Sequence, residues 1–225
     1  VCGRFTLTSD NAGEVAVMFG AELRGAERYR PRYNVAPTDA IWVVELEEGR
    51  RVMRPALWGL HAVGAGTTKG KLVINARGET VRGRPMFRRL WDRHRAIVVA
   101  DGFYEWRTTA EGRRPLWFHR PDGGLLALGA LVEPAPTGDP AHLPRAVIIT
   151  TKPSAEVAPV HDRMPLILDE REVARWLAEP DPALIRPAPD GTLIAREVSA
   201  RVNSVENDDP ACLAPARAVE QLRLV

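Results

Sequence analysis

Cys2, in the opening segment VCGRFTLTSD, is the residue whose position says most about chemistry. A cysteine at a free N-terminus offers a thiol and a primary amine two carbons apart, and that pair condenses with an aldehyde. The amine forms an imine, the thiol adds to the same carbon, and a five-membered thiazolidine closes. An α-amine titrates near roughly 7.7–8.0, so a neutral, nucleophilic fraction exists at physiological pH. Arg4 favours the thiolate if its guanidinium lies close in space. The ring has one condition. Val1 precedes Cys2, and an acylated nitrogen cannot form an imine; the expectation is that Val1 reads a valine start codon, installed as methionine and removed ahead of the small Cys2. Taken alone, a cysteine near a chain end is more often incidental than catalytic.

A second concentration of chemistry lies in RGRPMFRRLWDRHR, Arg82 to Arg95, with six arginines, one acid, and Phe87 and Trp91 among them. Such a stretch grips a nucleic-acid backbone and stacks or wedges against bases. It equally describes an amphipathic helix opened by Pro85, with Phe87, Leu90, Trp91 and His94 facing the core and the arginines solvated. Helical period alone does not separate the two.

The elements that must position these residues are mostly strands. Thr8 to Asp10 offers caps for a short helix ending near Phe19, and Gly20 stops it. Strands are expected over Ile41 to Glu47, Arg51 to Leu57, Arg95 to Asp101, Leu125 to Val132, Ala146 to Thr151, Pro165 to Leu168 and Leu193 to Val198. The short turns between them favour antiparallel pairing. Asp169 followed by Glu172 reads as a capping box for a helix over Glu170 to Ala178. Gly64 to Lys71 and Pro134 to Pro144 read as loops; the first lacks phosphate-loop spacing, and Leu72 stands where a magnesium-binding hydroxyl belongs. The fold class expected is α+β, with a mostly antiparallel, barrel-like β core flanked by short helices.

Length and composition bound the rest. A chain of 225 residues buries one sizeable core, and a single domain over 1–225 is expected. A net charge of +2 is too small to hold DNA by field alone. Apolar runs such as Ala96 to Ala100 are too short to cross a bilayer, and no secretory stretch follows the N-terminus, so the cytoplasm is the expected location and no membrane partner is foreseen. Two cysteines, Cys2 and Cys212, and five scattered histidines give no metal-ligand spacing; no disulfide, metal or cofactor is expected, and Cys212 reads as a small buried residue.

Seven strings then make a pattern. CGRFT (Cys2 to Thr6), YNVAPT (Tyr33 to Thr38), WGL (Trp58 to Leu60), INARGET (Ile74 to Thr80), ADGFYEW (Ala100 to Trp106), HDRMPLIL (His161 to Leu168) and VNSVENDDPAC (Val202 to Cys212) resemble, in order and over nearly the whole chain, the SRAP family of SOS-response-associated peptidases. The resemblance implies a sensor of abasic sites in single-stranded DNA that shields the lesion as a thiazolidine crosslink. It acts as a monomer, associated with the nucleoid when bound to DNA, and the family's name adds autoproteolysis or lyase chemistry as side activities. Carried over by motif, Cys2 is the nucleophile and Asn75 positions the deoxyribose, for which an amide that both donates and accepts is suited. Glu105, held against aromatics that raise a carboxyl pKa, moves protons during ring opening and imine formation. His161 contacts the opened sugar and shares that proton transfer.

Each of these residues has a plainer reading: Asn75 as a strand-end residue bonded to its own backbone, Glu105 as a solvated glutamate in a turn, His161 as a surface or core histidine. Asp162 either orients His161 or pairs with Arg163, the latter being favoured. Arg4, Arg77 and Arg163 are the expected phosphate contacts, with Met86 and Phe87 as wedges beside the missing base and Pro37 as a further DNA contact. Two departures from the family pattern, Gly78 and the tryptophan-free loop at 64–71, are expected to loosen DNA contacts. Two other functions stand beside the crosslinking one: a thiol peptidase in which His161 and Glu105 activate Cys2, and a non-catalytic single-strand binding module using the arginine-rich stretch.

Overall fold

Alternating apolar residues give a central sheet a packed layer on each face. The computed structural model describes residues 2–62, 70–136 and 142–216. Its first half runs β1 (Phe5–Leu7), α1 (Ala12–Met18), β2 (Ala21–Leu23), β3 (Arg32–Val35), β4 (Ala40–Glu47), β5 (Arg50–Trp58), β6 (Leu60–Ala62), β7 (Lys71–Val73) and β8 (Asn75–Arg77). The second runs α2 (Gly78–Val81), α3 (Pro85–Arg93), β9 (Arg95–Ala100), β10 (Gly102–Thr109), β11 (Gly112–His119), β12 (Leu126–Glu133) and β13 (Arg145–Thr151). The short β14 (Met164–Pro165) and β15 (Ile167–Leu168), then α4 (Glu170–Ala178) and β16 (Ile194–Glu197), complete it.

Strands β5, β4, β9, β12 and β13 pair antiparallel in that order. β13 then returns to β5 through two parallel residue pairs, Arg145 with Leu57 and Ala146 with Trp58. So short a closure makes the body a near-ring rather than a closed barrel, and the parallel pairings of β8 with β13 and β2 with β5 make the sheet mixed. The α+β class with short flanking helices is as the sequence indicates; the parallel ladders are an addition to it.

A strand of period two shows one residue set to each side. Ile41, Val43, Trp58, Val98, Leu128 and Ile148 pack with Phe5, Phe103 and Phe118 of a second, five-stranded sheet ordered β16, β11, β10, β1, β3. Val44, Met53, Ile97, Val99, Leu131 and Val147 pack instead with Val15 of α1, Leu90 and Trp91 of α3, and Val173 and Trp176 of α4. The ring is therefore covered on both faces, which is why its strands read as near-continuous apolar runs.

The helices follow local signals. Asp169 and Glu172 form the capping box of α4, and Pro85 opens α3 at a position where no backbone N–H is needed. Asn11, one residue beyond the expected caps, starts α1 by accepting from Glu14 N at 3.1 Å. In α3 the plainer reading of the arginine-rich stretch holds for its apolar face: Phe87, Leu90 and Trp91 are buried, and Trp91 meets Trp176 edge-on at 5.4 Å. Burial of side chains this size contributes roughly 1.5–3 kcal/mol each. It does not hold for Arg95, which is buried and donates to the carbonyls of Trp176 and Trp91 at 2.7 and 2.6 Å. The expected strand at 165–168 is interrupted where Leu166 N bonds Ile149 O at 2.8 Å. Of the two expected loops, residues 64–69 and 137–141 lie outside the described residues.

Candidate active site

Register places the cysteine. β1 pairs antiparallel with β10, Phe5 opposite Phe103, and Tyr104 N continues the ladder to Arg4 O at 3.0 Å. The chain start is thereby led along Glu105. Glu105 shares the inward face of Phe103, two residues before it, so the acid points at the core rather than at water. It is 4% exposed and accepts from the Cys2 backbone nitrogen at 2.6 Å. The expected turn around Glu105 is thus corrected: it sits within a strand, opposite Leu116 of β11.

Asn75 arrives from the other side. β8 lies parallel to β13 with Asn75 beside Ile148, and Asn75 Nδ2 donates to the Cys2 carbonyl at 3.3 Å. Cys2 itself is fully buried among Phe5, Trp58, Phe103 and Ile148. Burial first, and the Glu105 charge second, push its thiol well above the ordinary range. Arg4 does not counter this. Its Nη1 is committed to Asn34 Oδ1 at 2.7 Å and Val202 O at 2.8 Å, so the expected thiolate-favouring role is replaced by a structural one.

His161 lies on the compact turn after β13, where its own N–H bonds Val157 O at 3.0 Å. Val157 and Val160 of that turn pack against the cluster that contains Cys2, which sets His161 at the rim of the same core. Arg163 N donates to His161 Nδ1 at 3.0 Å, while Asp162 Oδ1 lies 2.9 Å from the same nitrogen. Both contacts cannot use one ring state. The neutral ring accepts from Arg163 and carries its proton on Nε2; an imidazolium instead donates from Nδ1 to Asp162. The favoured pairing of Asp162 with Arg163 is corrected accordingly. Arg163 forks onto Glu79 at 2.6 and 2.8 Å and donates to Thr150 O at 2.6 Å.

The remaining expected DNA contacts divide. Arg77 is exposed at the start of α2 and pairs beside Thr150, so it stands near Arg163. Arg4 lines an open depression of about 350 Å³ with Gly3, Trp106, Arg113 and Asn203, immediately next to Cys2 in the chain. Pro37 lines a different one, of about 620 Å³, with Arg30, Arg32 and Thr38. Met86 and Phe87 belong to the helix-side cluster and not to the one around Cys2; with Phe87 7% exposed, a wedge role would require it to leave the core. Gly78 is buried rather than DNA-facing. A Cβ there would lie 2.3 Å from Ile185 Cγ2, so Ile185 fills the space a side chain would need.

Two residues within the motif strings carry more than the sequence suggested. Asn34, fully buried, accepts from Arg4 and donates to the carbonyls of Val202, Ser204 and Asn207 at 2.7–3.2 Å. Asp208 accepts from Tyr33 N at 2.7 Å and Asn34 N at 2.9 Å, and binds the Arg32 guanidinium. Neither carries a local signal: Asn34 stands in the mixed strand Arg32–Val35, and Asp208 lies outside any helix or strand. Among the described residues no group of three or more His, Cys, Asp or Glu could hold a metal, and no helix is long and apolar enough to cross a membrane.

A buried cysteine near the start of the chain, its backbone nitrogen on a carboxylate and its carbonyl on an amide, thus sits on a near-ring sheet. The model of the family described as SOS response associated peptidase (SRAP) matches residues 1–205, and the chain belongs to that family. It is 34% identical over 221 residues to the abasic site processing protein YoqW of Bacillus subtilis, covering 93% of this chain and 97% of that one. It is 30% identical to the abasic site processing protein HMCES of Gallus gallus, over 84% of this chain and 67% of that protein. A crystal structure of a protein from Bacteroides thetaiotaomicron shares the fold with a TM-score of 0.81 at 21% identity, covering 96% of this chain and all of that one.

Proposed function

We propose that this protein processes abasic sites in single-stranded DNA by bonding covalently to them through Cys2. The observation that carries the reading is the 2.6 Å contact between the Cys2 nitrogen and Glu105. With Val1 removed, that nitrogen is the α-amine, and a buried carboxylate already lies in position to take its proton. The free amine attacks C1′ of the ring-opened deoxyribose and gives a carbinolamine. Glu105 returns the proton to the departing hydroxyl, and water leaves as the imine forms. Sulfur then adds to the imine carbon, its proton passes to nitrogen, and the thiazolidine closes with one water lost in total.

Burial supports this order of events. A thiol pushed up by its apolar setting speaks against a peptidase that needs the thiolate first, whereas the amine-first order asks for sulfur only once the imine has formed. Asn75, already on the Cys2 carbonyl, fixes the residue against β8, and His161 at the rim supplies an imidazole able to donate or accept a proton. Exposed Arg77, and Arg113 in the depression next to Gly3, would hold the flanking phosphates.

The test is a single-stranded oligonucleotide with one abasic site, incubated with wild type and with Cys2→Ala, then resolved on a denaturing gel. Mass spectrometry of the same protein establishes that Cys2 is its first residue. A Cys2-dependent band that survives denaturation is expected. A wild type that yields none overturns the reading, and DNA retained only under native conditions would make the protein a non-covalent single-strand binder.

A further inference from the structure

Glu79 belongs to no role assigned so far, yet it joins two of the segments that build the site. It lies in α2, two residues after Arg77 and four after Asn75. From there its carboxylate receives both arms of the Arg163 guanidinium, at 2.6 and 2.8 Å, and the Arg163 side chain is only 11% exposed. The fork holds the Glu79 carboxyl below its usual range. A paired, planar, bidentate contact restricts orientation as well as distance. The third anchor of the guanidinium is Thr150 O, at the end of β13 beside Arg77.

The other end of Arg163 is its backbone N–H, which donates to His161 Nδ1. Asp162, between them, is 84% exposed and offers little to hold the turn. We infer that Glu79 is a positioning residue for the proposed reaction: through Arg163 it pins the turn that carries His161 to the strand that carries Asn75, and keeps the imidazole proton on Nε2. The fork and the Thr150 contact make Arg163 a strut between α2 and the end of β13, while its Nε–H keeps no partner among the described residues. This rests on the crosslinking reading for its consequence in rate, though not for its consequence in histidine geometry.

The experiment compares wild type with Glu79→Ala and Glu79→Gln. Crosslinking to an abasic single-stranded oligonucleotide is followed over a range of DNA concentrations, and the ring nitrogens of ¹⁵N-labelled His161 are read by NMR without DNA. Misplacing a group that moves protons costs roughly tenfold to a hundredfold in rate, so Glu79→Ala should lower the maximal rate by that factor. Its half-saturating DNA concentration should stay level or fall, because a negative charge has been removed. Glu79→Gln, which keeps one acceptor for the fork, should recover most of the rate. The imidazole of Glu79→Ala should lose its Nε2–H preference and average both tautomers. An unchanged maximal rate with unchanged ring signals overturns the proposal, as does a loss confined to half-saturation, which would make Arg163 a phosphate ligand. If wild type forms no crosslink, the functional reading fails, and the ring signals alone decide the positioning role.

Discussion

Replacing Glu105 by Gln isolates the step on which the proposed chemistry turns. The amide keeps an oxygen where Glu105 Oε1 now accepts from the Cys2 nitrogen at 2.6 Å, but it cannot take a proton and return it. General acid–base catalysis contributes typically 10²–10⁴-fold, about 3–5 kcal/mol of barrier. The cost in stability is smaller. A hydrogen bond to a charged group is worth about 1.5–3 kcal/mol and a neutral one about 0.5–1.5, so the exchange removes about 1 kcal/mol. For a chain of this size that lowers Tm by about 2–4 °C, and with stabilities of about 5–15 kcal/mol the folded fraction at 25 °C hardly changes. Rate and stability therefore separate. Single-turnover crosslinking to abasic single-stranded DNA, sampled on denaturing gels at saturating protein, should slow at least a hundredfold while thermal melting shifts by a few degrees. A loss below about threefold would refute proton transfer by Glu105, because even the low end of the general-base contribution is larger.

Three further outcomes follow from the packing. Phe87→Ala should cost about 3–5 kcal/mol in urea unfolding and leave the DNA affinity of the folded protein unchanged; lost affinity at full stability would restore Phe87 to the DNA surface. Gly78→Ala should destabilise by about 1–3 kcal/mol through the Ile185 contact, and adding Ile185→Ala should reverse most of it, so strictly additive effects would dismiss the clash. The Cys2 thiol is raised in the folded state, so the unfolded chain ionises first, near roughly pH 8.5. Stability from this group is complete below that pH and falls by about 1.4 kcal/mol per pH unit above it; urea titrations from pH 8 to 10 should show the fall in wild type relative to Cys2→Ala, and parallel curves would contradict it.

Local chemistry was legible where local chemistry decides. Pro85 and the Asp169–Glu172 box mark α3 and α4, and apolar runs such as Ile41 to Val44 and Ala96 to Ala100 mark strands of the ring. The β10–β11 hairpin was not, because Glu105, Arg107 and the arginines after Gly112 break the apolar signal that a buried strand normally gives. The site was legible through its motifs and not through its physics. Arg4, two residues from Cys2, looked like the group that would tune the thiol, yet burial decides the thiol and Arg4 faces Asn34. Spacing along the chain says nothing of partners such as Val202 and Asp208, which lie some 170 residues from Asn34.

That last separation bears on how the molecule comes into being. Arg4 and Asn34 leave the ribosome well before the carbonyls of Val202, Ser204 and Asn207 and the Asp208 carboxylate that complete their hydrogen bonds. Until then a buried amide and a guanidinium lack acceptors, and domains of this kind settle only when such groups are satisfied. The Arg4–Asn34 network flanking Cys2 is thus completed only by residues 202–208, so a chain that stops before them carries the reactive residue without the hydrogen bonds that fix its flank.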